Sequence, residues 1–131
     1  MNLIPLYLIF SFENKELMEY LVEHGADINK ETEDGLTPLL NAIGSRNKEL
    51  VEYLVEHGAD INKESKNGET PLFFSCLSGN KELGKYLVEH GADINKENKD
   101  GETPLFNACN SGNKELVEYL VEHGADVNKE D

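Results

Sequence analysis

Leu50, Val51, Leu54 and Val55 fall at i, i+1, i+4 and i+5, with Glu49, Glu52 and Glu56 between them. That spacing gathers the aliphatic residues into one stripe of a helix and turns the glutamates to the opposite side. Asn47 stands where a side chain can cap the first free N–H groups, and Glu49 in the first turn suits the positive end of the dipole. Gly58, just past the last periodic residue, is the expected left-handed stop, after which Ala59-Asp60-Ile61-Asn62 should run extended.

A shorter helix is predicted ahead of this one, over 38–45. Thr37 is its cap, and Pro38 at the first helical position has no N–H to waste and a φ already set. Leu39, Ala42 and Ile43 then share a face. Asp34-Gly35, Asn67-Gly68 and Asp100-Gly101 are turn signals, since these residue types tolerate positive φ.

The pair of helices recurs. Asn47-Lys48-Glu49-Leu50 returns nearly letter for letter at 14–17, 80–83 and 113–116, and Tyr-Leu-Val-Glu-His-Gly-Ala-Asp stands at 20–27, 53–60, 86–93 and 119–126. The chain is therefore one array over 1–131, with repeats of 33 residues at approximately 1–33, 34–66, 67–99 and 100–131. A fixed period of this size means stacked units, each burying its apolar face against its neighbours.

Turn, Thr-Pro-Leu start, second helix and Gly-Ala-Asp-Ile-Asn on this period resemble the ankyrin repeat over essentially the whole chain. The resemblance implies an all-α ankyrin-repeat solenoid of helix-turn-helix units joined by β-hairpin-like loops. It also implies that a partner protein binds a concave face formed by the hairpin tips and first helices. Leu40, Phe73 and Phe106 replace the histidine of the family's signature, so apolar packing should replace its hydrogen bonds. The first unit reads Ile4-Pro5-Leu6, losing the threonine cap at a cost of about 1 kcal/mol. Asn29, Asn62, Asn95 and Asn128, each following an upstream leucine and an Asp-Ile or Asp-Val pair, resemble ankyrin asparagines that a 2-oxoglutarate-dependent oxygenase hydroxylates.

Charge narrows the partners. The chain carries 26 acidic and 12 basic side chains, net −14. Such a field repels nucleic acid and anionic lipid, whose binding depends on phosphate contacts, and favours a basic partner surface. No run reaches the roughly 18 apolar residues of a membrane span. Leu3 to Phe12 lacks a basic lead and a cleavage site, and it aligns with later first helices, so it is read as structure and not as a signal peptide.

Cys76 and Cys109 lie one period apart, farther than a disulfide spans between stacked helices. Both are expected to be free thiols on the core face, which points to a reducing, cytoplasmic setting. His24, His57, His90 and His123 recur once per unit, too far apart to converge on a metal, and each falls in a last turn where it can cap carbonyls. The serines belong to no nucleophile elbow, and no glycine-rich phosphate loop follows a strand. No catalytic residue, cofactor or metal ligand is assigned, and an enzyme is disfavoured.

Candidate binding residues are sought where the repeats differ. Phe74 stands where the neighbouring repeats have Asn41 and Asn107, and Leu77 where they have Gly44 and Asn110. Leu36 stands at a hairpin edge in place of Glu69 and Glu102. Leu36, Phe74 and Leu77, with Glu69, Ser78, Glu102 and Asn110 around them, form the candidate partner-binding set, an apolar anchor in an acidic rim.

Gly84 replaces the valine of Val51 and Val117, which should weaken the third repeat by about 1 kcal/mol of helix propensity and roughly 1.5–3 kcal/mol of burial. On this basis Gly84→Val should be stabilising. Neither end shows polar capping: Leu116, Val117, Leu120 and Val121 repeat the interior pattern, and Leu3, Ile4, Leu6, Leu8, Ile9, Phe10 and Phe12 open the chain. Self-association through uncapped ends is expected, or a role as a structural segment of a longer ankyrin array.

Overall fold

The structure is a computed structural model that describes residues 15–33 and 35–128. The apolar segment Leu3–Phe12, with Ile4-Pro5-Leu6, and Asp34 of the first turn signal lie outside the described residues. Among the described residues there are seven helices and no strand: α1 (Lys15–Glu23), α2 (Pro38–Gly44), α3 (Lys48–Glu56), α4 (Pro71–Leu77), α5 (Lys81–Glu89), α6 (Pro104–Ser111) and α7 (Lys114–Glu122).

Their ends follow from local chemistry. The Thr37, Thr70 and Thr103 hydroxyls accept from the Leu40, Phe73 and Phe106 N–H groups at 3.2–3.3 Å, each with proline in the first turn. Asn47, Asn80 and Asn113 cap the second helices in the same way, accepting from Leu50, Leu83 and Leu116 at 3.1–3.2 Å. At the other end Gly58 takes φ 100°, and the Gly58 and Ala59 N–H groups reach back to Val55 O and Leu54 O. That pairing satisfies the last carbonyls in a left-handed stop.

The next residues turn instead of extending. Asp27 Oδ1 accepts from Asn29 N at 2.9 Å and Asp27 O from Lys30 N at 3.1 Å, with the side-chain contact repeated at Asp93–Asn95 and Asp126–Asn128. An aspartate two residues upstream offers the backbone a local partner that a straight strand would forgo.

The chain forms two compact units, one ending at Asp60 and one beginning at Ile61. In the first, α1 and α2 both pack on α3 around Met18, Leu39, Ile43, Leu50 and Leu54, all at most 2 % exposed. In the second, α4 packs on α5 and α6, and α7 packs on α5 and α6. Leu72, Phe73, Cys76, Leu83, Leu87, Leu116 and Leu120 fill this core. Each leucine so buried contributes about 1.5–3 kcal/mol before chain entropy is charged against it.

Candidate interaction face

Each hairpin-like loop closes through a pair of backbone bonds: Thr32 N–H to Leu36 O and Gly35 N–H to Thr32 O, then Ser65 with Glu69 and Gly68, then Asn98 with Glu102 and Gly101. Residues 36, 69 and 102 hold the same position within their own loops. Leu36 is 38 % exposed in the first unit. In the second unit Glu69 Oε1 accepts from the Ser65 hydroxyl at 3.1 Å and Glu102 Oε1 from Asn98 Nδ2 at 2.9 Å. Both carboxylates therefore brace their own hairpins while staying half-exposed.

The first helices separate the two apolar candidates. Leu77 is 52 % exposed at the end of α4, beside the exposed Ser78, whose hydroxyl donates to Ser75 O at 3.2 Å. Phe74 is half-buried and meets the buried Phe73 edge-on, with centroids 6.0 Å apart and planes at 83°. One repeat later Asn110 is exposed, but Asn107, the counterpart of Phe74, is only 3 % exposed. Its Nδ2 has no hydrogen-bond partner among the described residues. Position 74 is thus a core margin, and Leu77 is the more accessible side chain of the pair.

On the second helices the histidines do cap. Each Nδ1 lies 2.7–2.8 Å from the carbonyl oxygen of the tyrosine four residues earlier, so Nδ1 carries the proton and donates. Each ring also stacks on that tyrosine, with centroids 3.9–4.1 Å apart. In the first unit Glu19, Glu23, Glu49, Glu52 and Glu56 line an open depression of about 410 Å³ with Tyr53 in its wall. Burial, and after it the charges of Glu19 and Glu23, push the Tyr53 phenol upward.

Lys85 carries a contact that comparing the repeats did not bring out. It stands where Glu52 and Glu118 stand, and its ammonium lies 5.3 Å from the centre of the Tyr119 ring. Lys81 pairs with Glu115 alongside, which holds that carboxyl below its ordinary range, chiefly by hydrogen bonding. The charge reversal at 85 was the available signal.

Two expectations need correction. Cys76 and Cys109 are both free, but only Cys76 is buried. Desolvation pushes its thiol up to about 12. Cys109, at the equivalent place on α6, is exposed, whereas Cys76 lies on α4, which packs on both α5 and α6. Gly84 is not a void left by a missing valine: a β-carbon there would lie 3.0 Å from Leu116 Cδ1.

The asparagines proposed for hydroxylation take part in packing. Asn29, Asn62 and Asn95 each span to the following repeat, whereas no side-chain hydrogen bond is made by Asn128 among the described residues. No described helix is long and apolar enough to cross a membrane.

No curated protein matches the chain. The family of ankyrin repeats in three copies matches residues 1–65 and again 61–131. Those matches span every repeat whose caps, glycine stops and hairpins have been described, and the chain belongs to the ankyrin-repeat family.

Proposed function

We propose that the protein is an interaction scaffold that binds a partner protein through its hairpin tips and first helices. Ankyrin repeats are generally protein–protein interaction modules, and the family is typically non-enzymatic. The observation that carries the reading is Leu77, a large aliphatic side chain 52 % exposed where the neighbouring repeats have glycine and asparagine. Phe74 is one turn away, and Glu69 and Glu102 are half-exposed on the adjoining hairpins. An exposed apolar anchor among carboxylates suits a partner with an apolar contact ringed by lysine or arginine. Net charge −14 speeds encounter with such a surface.

Capture from lysate on immobilised wild type beside Leu77→Asn tests this. A protein held by wild type and lost from the variant, at equal thermal stability, supports the reading. Identical captured sets sink it. The same scaffold reading extends to modification: Asn29, Asn62, Asn95 and Asn128 are proposed substrates of a 2-oxoglutarate-dependent asparagine hydroxylase. Peptide mass spectrometry after incubation with such an enzyme checks it, and no gain of one oxygen on any of the four ends the idea.

A further inference from the structure

The joint between α5 and α7 carries its own cation, and the corresponding joint between α1 and α3 does not. In the second unit the Lys85 ammonium lies 5.3 Å from the centre of the Tyr119 ring, and the Tyr119 hydroxyl donates to Lys85 O at 3.5 Å. Lys81 alongside pairs with Glu115. In the first unit Tyr53 takes the place of Tyr119 and Glu19 that of Lys85, so a carboxylate stands where the second unit has an ammonium. Lys15, the counterpart of Lys81, pairs with Glu19 on its own helix at 3.4 Å.

The result is the open depression of about 410 Å³, where five carboxylates face the one ammonium of Lys15. Glu23, Glu49, Glu52 and Glu56 make no ion pair among the described residues. Tyr53 in the wall is only 7 % exposed, and its hydroxyl, unlike that of Tyr119, makes no hydrogen bond among the described residues. Its ring is held by His57, stacked at 4.0 Å, as His123 holds Tyr119 at 3.9 Å. Among the described residues no three acidic or histidine side chains are grouped to hold a metal ion, so the charge is spread along the groove.

We propose that this groove takes a lysine-bearing segment of a partner protein, with one lysine ammonium lying on the Tyr53 ring as Lys85 lies on Tyr119. The occupant follows from the second unit, where the fold already seats an alkylammonium against the same tyrosine–histidine stack. Such an ammonium donates to the unpaired carboxylates and to the Tyr53 phenol oxygen, and charge-assisted bonds of this kind are the stronger class. Carboxylates spread along the depression suit further lysines of the same segment. The site lies on the second helices, so it stands or falls independently of the partner-binding reading at the hairpins and first helices.

A chemical-shift titration of the isotope-labelled whole chain tests this, with a peptide of alternating lysine and glycine, blocked at both ends, as the probe. Saturable shifts centred on α1 and α3 are expected. Glu19→Lys gives the first unit the lysine of the second, and by filling the groove it should weaken the probe by about tenfold or more. Glu118→Lys makes the same change of charge at an exposed position outside the groove and should weaken it by less than about twofold. Conversely, Lys85→Glu uncovers Tyr119 and should add a second saturable set of shifts on α5 and α7. Tyr53→Phe should weaken the probe by about fivefold, one hydrogen bond to a charged group, without lowering the thermal midpoint. Equal weakening by Glu19→Lys and Glu118→Lys, unsaturable shifts over the whole acidic surface, or no second set in Lys85→Glu would each overturn the proposal. Spermidine binding as tightly as the peptide would overturn the assignment to a protein side chain.

Discussion

Leu116 occupies the space that a side chain at Gly84 would need. A β-carbon at 84 would sit 3.0 Å from Leu116 Cδ1, and Leu116 is itself 0 % exposed, so it has little room to yield. Helix α5 therefore meets α7 through a bare backbone at this point. Gly84→Ala gains about 1 kcal/mol of helix propensity against a contact that a few tenths of an ångström relieve. It should raise stability by less than that figure. Gly84→Val brings two further methyl groups to Leu116 and should destabilise by about 1–3 kcal/mol. Denaturant unfolding of both variants checks the order, and a stabilising valine would show that α7 moves aside freely.

Arg46 is the sole described non-glycine residue with positive φ, at 62°, where the third and fourth repeats have Gly79 and Gly112 at 69° and 73°. An L-side chain in that region costs about 1–2 kcal/mol, while glycine gives back roughly 0.5–1 kcal/mol through the freer unfolded chain. Arg46→Gly should therefore stabilise by about 0.5–1 kcal/mol. Urea midpoints at constant m-value measure it, and a loss of stability would mean that the contacts of the arginine side chain outweigh the backbone term.

The parts legible in the sequence are those that one repeat determines for itself. Thr37 and Pro38, Asn47 and Gly58 set the helix ends because caps and stops act within a few residues, and the structure places α2 and α3 between them. What one repeat offers its neighbour was less legible. Asn62 looked like a residue in an extended tail, yet its amide spans to Gly91 and Asp93. Lys85 shows in the sequence only as a charge reversal, because its contact lies in the next repeat, 5.3 Å away at the Tyr119 ring. Analogy with Cys76 puts Cys109 in the core, yet Cys109 is exposed, because a repeat's own letters do not say what packs on it. At the candidate face, exposure of Leu77 followed from repeat comparison, and the half-burial of Phe74 did not.

The two thiols should react on different timescales. Cys76 is 0 % exposed, with its thiol pushed up to about 12 by desolvation, while Cys109 is exposed. At neutral pH a maleimide or disulfide reagent should modify Cys109 at once and Cys76 only as fast as the core opens. One rapid equivalent, mapped to Cys109 by peptide mass spectrometry, is the expected outcome. Two rapid equivalents would place Cys76 outside the core.

Acid should loosen the contact between α5 and α7. Glu115 is held below the ordinary carboxylate range, first by its hydrogen bond to Lys81 and then by the charge of Lys81. A carboxyl whose folded value is depressed stabilises above its unfolded pKa, and that contribution is lost as pH falls through the folded value. Glu115→Gln should therefore reduce the slope of stability against pH on the acid side. Because the pair is exposed to solvent, the effect should shrink at high salt. An unchanged slope in thermal melts across the acid range would show that the pair does not persist in solution.

Phe74 and Leu77 should respond differently to the same substitution. Phe74 lies half-buried with its ring edge-on to Phe73, and its counterpart Asn107 already leaves a buried amide nitrogen unpaired. An asparagine at 74 would lose aromatic burial and bring a polar group to the core margin, so Phe74→Asn should cost about 2–4 kcal/mol. Leu77 is 52 % exposed, and Leu77→Asn should stay within about 0.5 kcal/mol of wild type. A double Phe74→Asn, Leu77→Asn variant would destabilise the core margin as it removes the exposed side chain, so Leu77→Asn alone is the cleaner probe of partner binding. Equal thermal midpoints for wild type and Phe74→Asn would instead make Phe74 a surface residue and return it, with Leu77, to the binding face.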